Sequence, residues 1–267
     1  MNGVIALSAV DLSIAALLVV GLALLSFRMN LGLTGQIVVA ALRTTIQLLL
    51  VGMVLKVIFD ISHPLLLLAI ATVMVLTAGR EVMRRQTRRL VGPWGFATGT
   101  GAMVISSFSI TCLVLTTVIR IDPWYTPQYA VPLLGMMLGN TMNGIAIGME
   151  RLTTSAWRDS REIEGRLMLG QSWQEAIGSI RRESIRSALI PTLNSMAVAG
   201  IVSLPGMMTG QILAGSSPMD AVTYQILIMF TVSSGTGFGA IVAVSTVARR
   251  LFDERQRLRL DRLHRGR

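Results

Sequence analysis

Cysteine is almost missing from this chain. Cys112 is the single one among 267 residues, and it sits in an apolar run. Disulfide frameworks and cysteine-based zinc sites are therefore excluded. Histidine is nearly as rare: His63 falls at a loop and His264 in the tail, so no histidine cluster is available to a metal. Charged residues make up 14% of the sequence, against about 25% in soluble domains. No Asp or Glu lies deep in an apolar run, which argues against a carboxylate proton relay. A G-x-x-x-x-G-K-[S/T] loop is absent, so the chain does not hold ATP in that way. The last apolar run lacks a lysine for a retinal Schiff base. Residues 1–10 contain no Lys or Arg and so form no signal-peptide n-region; the first apolar run is expected to be retained.

What is present is apolar residue and arginine. Hydrophobic residues reach 52% and mean hydropathy is +0.63. Of 24 Lys and Arg, Lys56 is the one lysine, leaving 23 arginines and a net charge of +10. In a soluble protein that excess would suggest nucleic acid. Here the positive-inside rule accounts for it, and no nucleic-acid partner is expected.

Seven apolar runs fit membrane helices: 10–27, 34–59, 63–79, 96–119, 131–149, 188–214 and 221–248. The expected fold is all-α, a seven-helix membrane domain over 1–248 with a basic tail over 249–267. Arg28, the segments 80–95 and 150–187, and the tail hold 21 of the 24 Lys and Arg. That bias places the N-terminus outside and the C-terminus in the cytoplasm, which requires an odd helix count.

Run 188–214 is 27 residues without a charge, interrupted by Pro205-Gly206. As one helix it would be about 40 Å long, more than the ~30 Å hydrocarbon core. Proline removes a backbone donor and glycine relaxes φ, so a break is predicted there. Broken backbone at membrane depth is tolerated only against protein or a water-filled path, which makes this run the first candidate for a transport site.

The long loop 150–187 is patterned as two helices. Arg158–Glu162 and Glu162–Arg166 are i,i+4 pairs, Gly170 ends the first helix, and Ser172 with Glu175 forms a capping box that starts the second at residue 173. Trp173, Ile177 and Ile180 share one face of it and need a cover. The plainer alternative is a solvated hairpin lying on the membrane. In the tail, Asp253–Arg257 and Asp261–Arg265 are spaced as helical i,i+4 pairs, predicting a basic helix on the anionic leaflet.

Polar residues inside the runs are the candidate path lining. Arg43 and Gln47 share one helix face. Asn140 and Asn143 lie at i,i+3, and Asn194, Gln211 and Gln225 add further amides. The amides could instead be hydrogen-bonding contacts between helices, and Arg43 could snorkel to the cytoplasmic headgroups. Gly135/Gly139, Gly144/Gly148 and Gly206/Gly210 have the spacing of close helix packing. Sixteen methionines fit packing, with soft-metal binding as the alternative.

The string IPTLNSMAVAGIVSLPGMMTGQILAGSSPMDAVTYQI at 190–226, with VPLLGMMLGNTMN at 131–143 and RTTIQLLLVGMVL at 43–55, resembles the FetB-type family of ABC transporter permeases. That resemblance implies iron export across the bacterial inner membrane. It also implies a separate cognate ATPase that holds the ATP and Mg, no cofactor in this chain, and a homodimer of permeases in lipid. It leaves a non-metal solute such as a nucleotide sugar open, as composition leaves open a channel or carrier without an ATPase. LMLGQSWQEAI at 167–177 is similar to the loop by which such permeases engage the ATPase. This similarity implies coupling roles for Gly170, Ser172, Trp173, Glu175 and Ala176. The substrate path would then include Arg43, Gln47, Asn140, Asn143, Asn194, Pro205, Gly206 and Gln225; the metal ligands are unknown. Some family members carry Asp at Asn194 and Lys at Ala197, so this chain lacks both charges.

Overall fold

The computed structural model describes residues 8–60 and 63–264. It is all-helical, with no strand beyond isolated bridges among these residues. Helices α1 (Ala9–Arg28), α2 (Thr34–Asp60) and α3 (Pro64–Arg84) are followed by a rod built from α4 (Trp94–Met103) and α5 (Ser109–Leu113). Two π-helical stretches, Val104–Phe108 and Val114–Ile119, complete that rod. Then come α6 (Pro127–Arg158), α7 (Ser160–Met168), α8 (Trp173–Ala176), α9 (Gly178–Val198), α10 (Gly206–Leu213) and α11 (Pro218–Arg250).

Local chemistry sets the helix ends. Ser8 and Asp11 cap α1 reciprocally. His63, a loop residue, accepts the Leu65 N–H at 3.3 Å through Nδ1 and so closes the start of α3, where Pro64 occupies the first position without losing a bond.

Six helices are long and apolar enough to cross a membrane: Val10–Arg28, Thr34–Lys56, Pro64–Arg84, Trp94–Ile119, Pro127–Arg158 and Pro218–Arg250. They match six of the seven predicted runs. The remaining run, 188–214, is split between the end of α9 and α10, so it is not a single crossing helix.

Helix α6 is the central post, packed against α3, α9 and α11. Gly144 and Gly148 make this approach possible. A Cβ on Gly148 would lie 2.8 Å from Val244 Cγ2 and 3.2 Å from Ala188 Cβ. One on Gly144 would collide with Thr236 Cγ2 and meet the Ala188 carbonyl at 3.2 Å. The Gly144/Gly148 spacing is therefore intrachain packing. Gly206 and Gly210 have nothing within 4 Å of their missing Cβ atoms among the described residues, so that pair makes no close helix approach there.

The three arginine-rich segments meet at one end. The Thr87 N–H donates to Glu150 at 2.8 Å, Arg88 covers the Trp157 ring at 4.1 Å, and Val91 N–H donates to the Arg262 carbonyl at 2.8 Å. The tail differs from the predicted basic helix. After α11 it reverses direction, with an isolated bridge between Phe252 and Leu258, a 3₁₀ turn at Leu260–Arg262, and a bridge between Leu90 and Leu263. The physical reason is burial: reversal lets Leu251, Phe252 and Leu263 all enter the core. Asp253 does pair with Arg257 at 2.8 Å, but it does so as a turn cap, accepting the Arg255 and Arg257 N–H groups. Asp261 pairs with Arg259 at 2.8 Å; Arg265 lies outside the described residues.

Candidate transport cavity and hairpin

Backbone at the break is partly bonded to itself. Helix α9 stops at Val198, and the Val198 carbonyl accepts the N–H groups of Ile201, Val202 and Ser203 at 3.0–3.3 Å. Gly200 takes φ +81 and donates to the Ser203 carbonyl at 2.9 Å. The turn thus centres on Gly200, upstream of the predicted Pro205-Gly206. Pro205 instead precedes α10 in extended conformation, where its missing N–H costs nothing. Ile201 and Val202, 88% and 79% exposed, project from the turn.

Behind this break lies a cavity of about 400 Å³. Each helix contributes one face at helical spacing: Met136, Asn140 and Asn143 from α6; Ala188, Pro191, Thr192 and Ser195 from α9; Gln225, Met229 and Ser233 from α11. Pro205, Gly206 and Met207 close it. Pro191 also removes the donor that would bond the Ser187 carbonyl one turn earlier, which adds backbone polarity to the α9 wall.

The amides are unevenly satisfied. Asn140 donates to the Met136 carbonyl at 2.9 Å, leaving its own oxygen free of an intrachain bond among the described residues. Asn143 accepts Arg85 Nη1 at 2.5 Å. Gln225 is 8% exposed, and its Oε1 is buried without a partner. A buried unpaired amide oxygen costs about 1–3 kcal/mol, and here it lines the cavity wall. Among the described residues no group of three or more His, Cys, Asp or Glu is close enough to hold a metal ion. The cavity offers amides, hydroxyls, thioethers and carbonyls.

Of the predicted path residues, Asn140, Asn143, Pro205, Gly206 and Gln225 come together here. Arg43, Gln47 and Asn194 do not line the cavity and are exposed. Sequence reasoning missed Arg85, Pro191, Thr192 and Ser195, and it singled out the methionines only for packing or soft-metal binding. The i, i+3, i+4, i+7 pattern 188/191/192/195 was the available signal.

The hairpin forms largely as predicted. Gly170 holds φ +87, a conformation that disfavours any Cβ. The Ser172 N–H and hydroxyl both donate to Glu175, at 2.8 and 2.7 Å. These bonds hold the Glu175 carboxyl below its ordinary value, the Ser172 hydroxyl contributing most. Glu162 pairs with Arg166, whereas Arg158 pairs with Asp159 at 2.8 Å instead of Glu162. The second helix is interrupted at Ile177, between α8 and α9.

The cover for Trp173, Ile177 and Ile180 is the chain itself. Ile177 is fully buried, and Trp173 packs on Phe252 at 5.7 Å with Arg249 over its ring at 5.2 Å. The Trp173 backbone N–H donates to Gln256 Oε1 at 2.9 Å. Ala176 is also buried. Gly170 and Glu175 remain on the outside with Met168 and Leu169, which are 83% and 85% exposed. That bare apolar pair at the apex, beside the glycine turn, was not anticipated.

Residues 9–252 match the model of an uncharacterised protein family, UPF0014. The chain is similar to "UPF0014 membrane protein slr1647" of Synechocystis sp., 40% identical over 245 residues, 91% of this chain and 92% of the relative. It is similar to "Probable iron export permease protein FetB" of Escherichia coli, 31% identical over 248 residues, 93% of each. A plant relative is "Protein ALUMINUM SENSITIVE 3" of Arabidopsis thaliana, 32% identical over 216 residues, 80% of this chain and 77% of the relative. No solved structure matches the chain.

Proposed function

This chain belongs to the UPF0014 membrane protein family, and we propose that it is the membrane-spanning permease subunit of an ABC exporter. A separate ATPase subunit supplies the energy. The observation that carries this reading is mechanical continuity. The exposed apex Met168–Leu169 is braced by the Ser172–Glu175 cap and by Trp173 against the tail. From there α9 runs without a loop into the wall of the cavity and ends at the break. A push on the apex is therefore delivered to Pro191, Thr192 and Ser195. The ATPase takes Met168, Leu169, Gly170 and Glu175 as its docking surface, while Trp173 and Ala176 hold the hairpin in shape.

With the arginine-rich end in the cytoplasm, the chain sits in a bacterial inner membrane. The 188–214 segment completes a seven-pass layout as a broken crossing. A second copy covers α2, where no residue of Thr34–Lys56 is buried and Arg43 and Gln47 stand on the uncovered surface. Arginine at membrane depth is costly against lipid, so a protein partner on this face relieves it.

Iron as the exported solute is taken from the name of the Escherichia coli relative. A second reading keeps the machinery and changes the solute. Fe²⁺ favours imidazole and carboxylate ligands, and the cavity lining contains neither. A polar non-metal solute suits its amides and hydroxyls better. One experiment addresses both levels. The chain is co-expressed with its cognate ATPase, and cellular iron and other solutes are measured with and without it. Co-purification of the ATPase, lost in Met168→Glu/Leu169→Glu, is the expected result. ATPase-independent transport that survives this double substitution would overturn the permease-subunit reading and favour a stand-alone channel or carrier. Unchanged iron with a shift in another solute would select the second reading.

A further inference from the structure

The arginine-rich end holds a second cavity, of about 690 Å³, that the transport reading does not use. Trp94, Arg249, Arg250 and Arg262 line it, together with Asp253 and Glu254. A narrower groove of about 360 Å³ shares Trp94, Arg250 and Arg262 and continues past Leu90.

Its charge is unbalanced. Among the described residues none of the three arginines has a carboxylate within ion-pair distance. Asp253 is held by Arg257 at 2.8 Å and Arg259 at 3.9 Å, and Asp261 by Arg259 at 2.8 Å. Glu254 lines the cavity without an ion pair among the described residues, and Asp261 lines the adjoining groove beside Arg262. The arginines are also held in place. Arg250 lies 3.2 Å above the centroid of Trp94, and Arg262 uses Nη1 to bond the carbonyls of Arg250 at 2.6 Å and Phe252 at 3.3 Å.

Position adds a second argument. The cavity lies where two membrane spans end, at Trp94 and at Arg250, and tryptophan at a span end marks headgroup level. Positioned guanidinium forks match phosphate oxygens in shape as well as charge. We propose that this cavity is a phosphate-binding site. Arg249 and Arg250 supply the donors, Arg262 adds charge, and Trp94 orients Arg250. The phosphate is that of an anionic phospholipid headgroup or a free phosphate ion. Because Arg249 also covers Trp173, an occupant tightens the joint between tail and hairpin. The site stands whether or not the chain works with an ATPase.

The test uses the full chain in detergent, titrated separately with phosphatidylglycerol, phosphatidylcholine and inorganic phosphate. Binding is followed by native mass spectrometry and thermal shift. Phosphatidylglycerol should bind at least roughly tenfold more tightly than phosphatidylcholine, and Arg249→Gln/Arg250→Gln should weaken it roughly tenfold. Arg161→Gln/Arg186→Gln removes the same charge elsewhere and should leave affinity unchanged. If inorganic phosphate matches the lipid, the site takes the free ion; if only the lipid binds, it takes the headgroup. Equal binding of both lipids with no phosphate binding overturns the proposal, and so does wild-type affinity in the double variant. Should that variant not fold, Arg249→Gln at an exposed position serves instead: a several-fold loss supports the site, and wild-type affinity rejects it.

Discussion

The α6–α9–α11 unit is less apolar than the α1–α2 pair, yet it is the unit that packs a core within the chain. In the first, glycines let helices touch, and Met137, Ile145, Met149 and Val244 are fully buried. In the second, Leu18, Leu22, Leu48 and Leu49 are all more than half exposed. Hydropathy therefore runs opposite to burial. What separates them is small residues at close approach, as at Gly144 and Gly148. The first unit encloses its amides in a cavity, and the second shows Arg43 to its surroundings. One region is finished within the chain; the other leaves its apolar faces uncovered by the rest of the described residues.

The largest expected effect tests the packed unit. Gly144→Val drives a branched side chain into Thr236 and the Ala188 backbone and should cost about 3 kcal/mol. It would be read as lost folded protein in detergent thermal melts. Gly52→Val in α2, where nothing lies within 4 Å, should change stability by no more than about 0.5 kcal/mol. Equal losses at both sites would erase the contrast. Next is the hairpin joint. Trp173→Ala removes the contacts to Phe252 and Arg249 and should cost about 2 kcal/mol, with faster proteolysis of both hairpin and tail.

Smaller is the cap itself. Ser172→Ala should cost about 1 kcal/mol. Glu175 has a folded pKa below its unfolded one. Its stabilisation is therefore present above the unfolded value of about 4.3 and is lost as pH falls through the depressed value. Limited proteolysis of the hairpin should accelerate below about pH 4 in the native chain, and Glu175→Gln should flatten that dependence. The smallest effect on the single chain is Arg43→Leu. It should leave the monomer's melting unchanged while altering the dimer fraction measured by cross-linking in membranes. A change in monomer stability would mean that α2 is packed by its own chain.

How far the sequence could be read follows the same divide. Long uncharged runs and cap residues act locally, so the six long helices, the break and the Ser172–Glu175 cap were legible. The cavity was half legible. Asn140, Asn143 and Gln225 announce themselves as amides in apolar runs, but only tertiary contact separates them from Asn194, which is exposed. The tail was misread because Asp253 and Arg257 at i,i+4 fit a helix or a turn equally well. Burial of Phe252 and Leu263 against residues some 80 to 170 positions away decided it. Trp173 was correctly seen to need a cover, yet nothing local identifies Phe252 as that cover.

The central claim is that the hairpin apex controls the cavity through α9. Asn140→Cys in a Cys112→Ala background allows it to be measured directly, by labelling with a membrane-impermeant thiol reagent. The chain is reconstituted with the proposed ATPase partner, with and without ATP and vanadate. The account predicts a several-fold, nucleotide-dependent change in labelling that disappears in Met168→Glu/Leu169→Glu. Labelling that ignores nucleotide, or that responds equally in the apex variant, would contradict it.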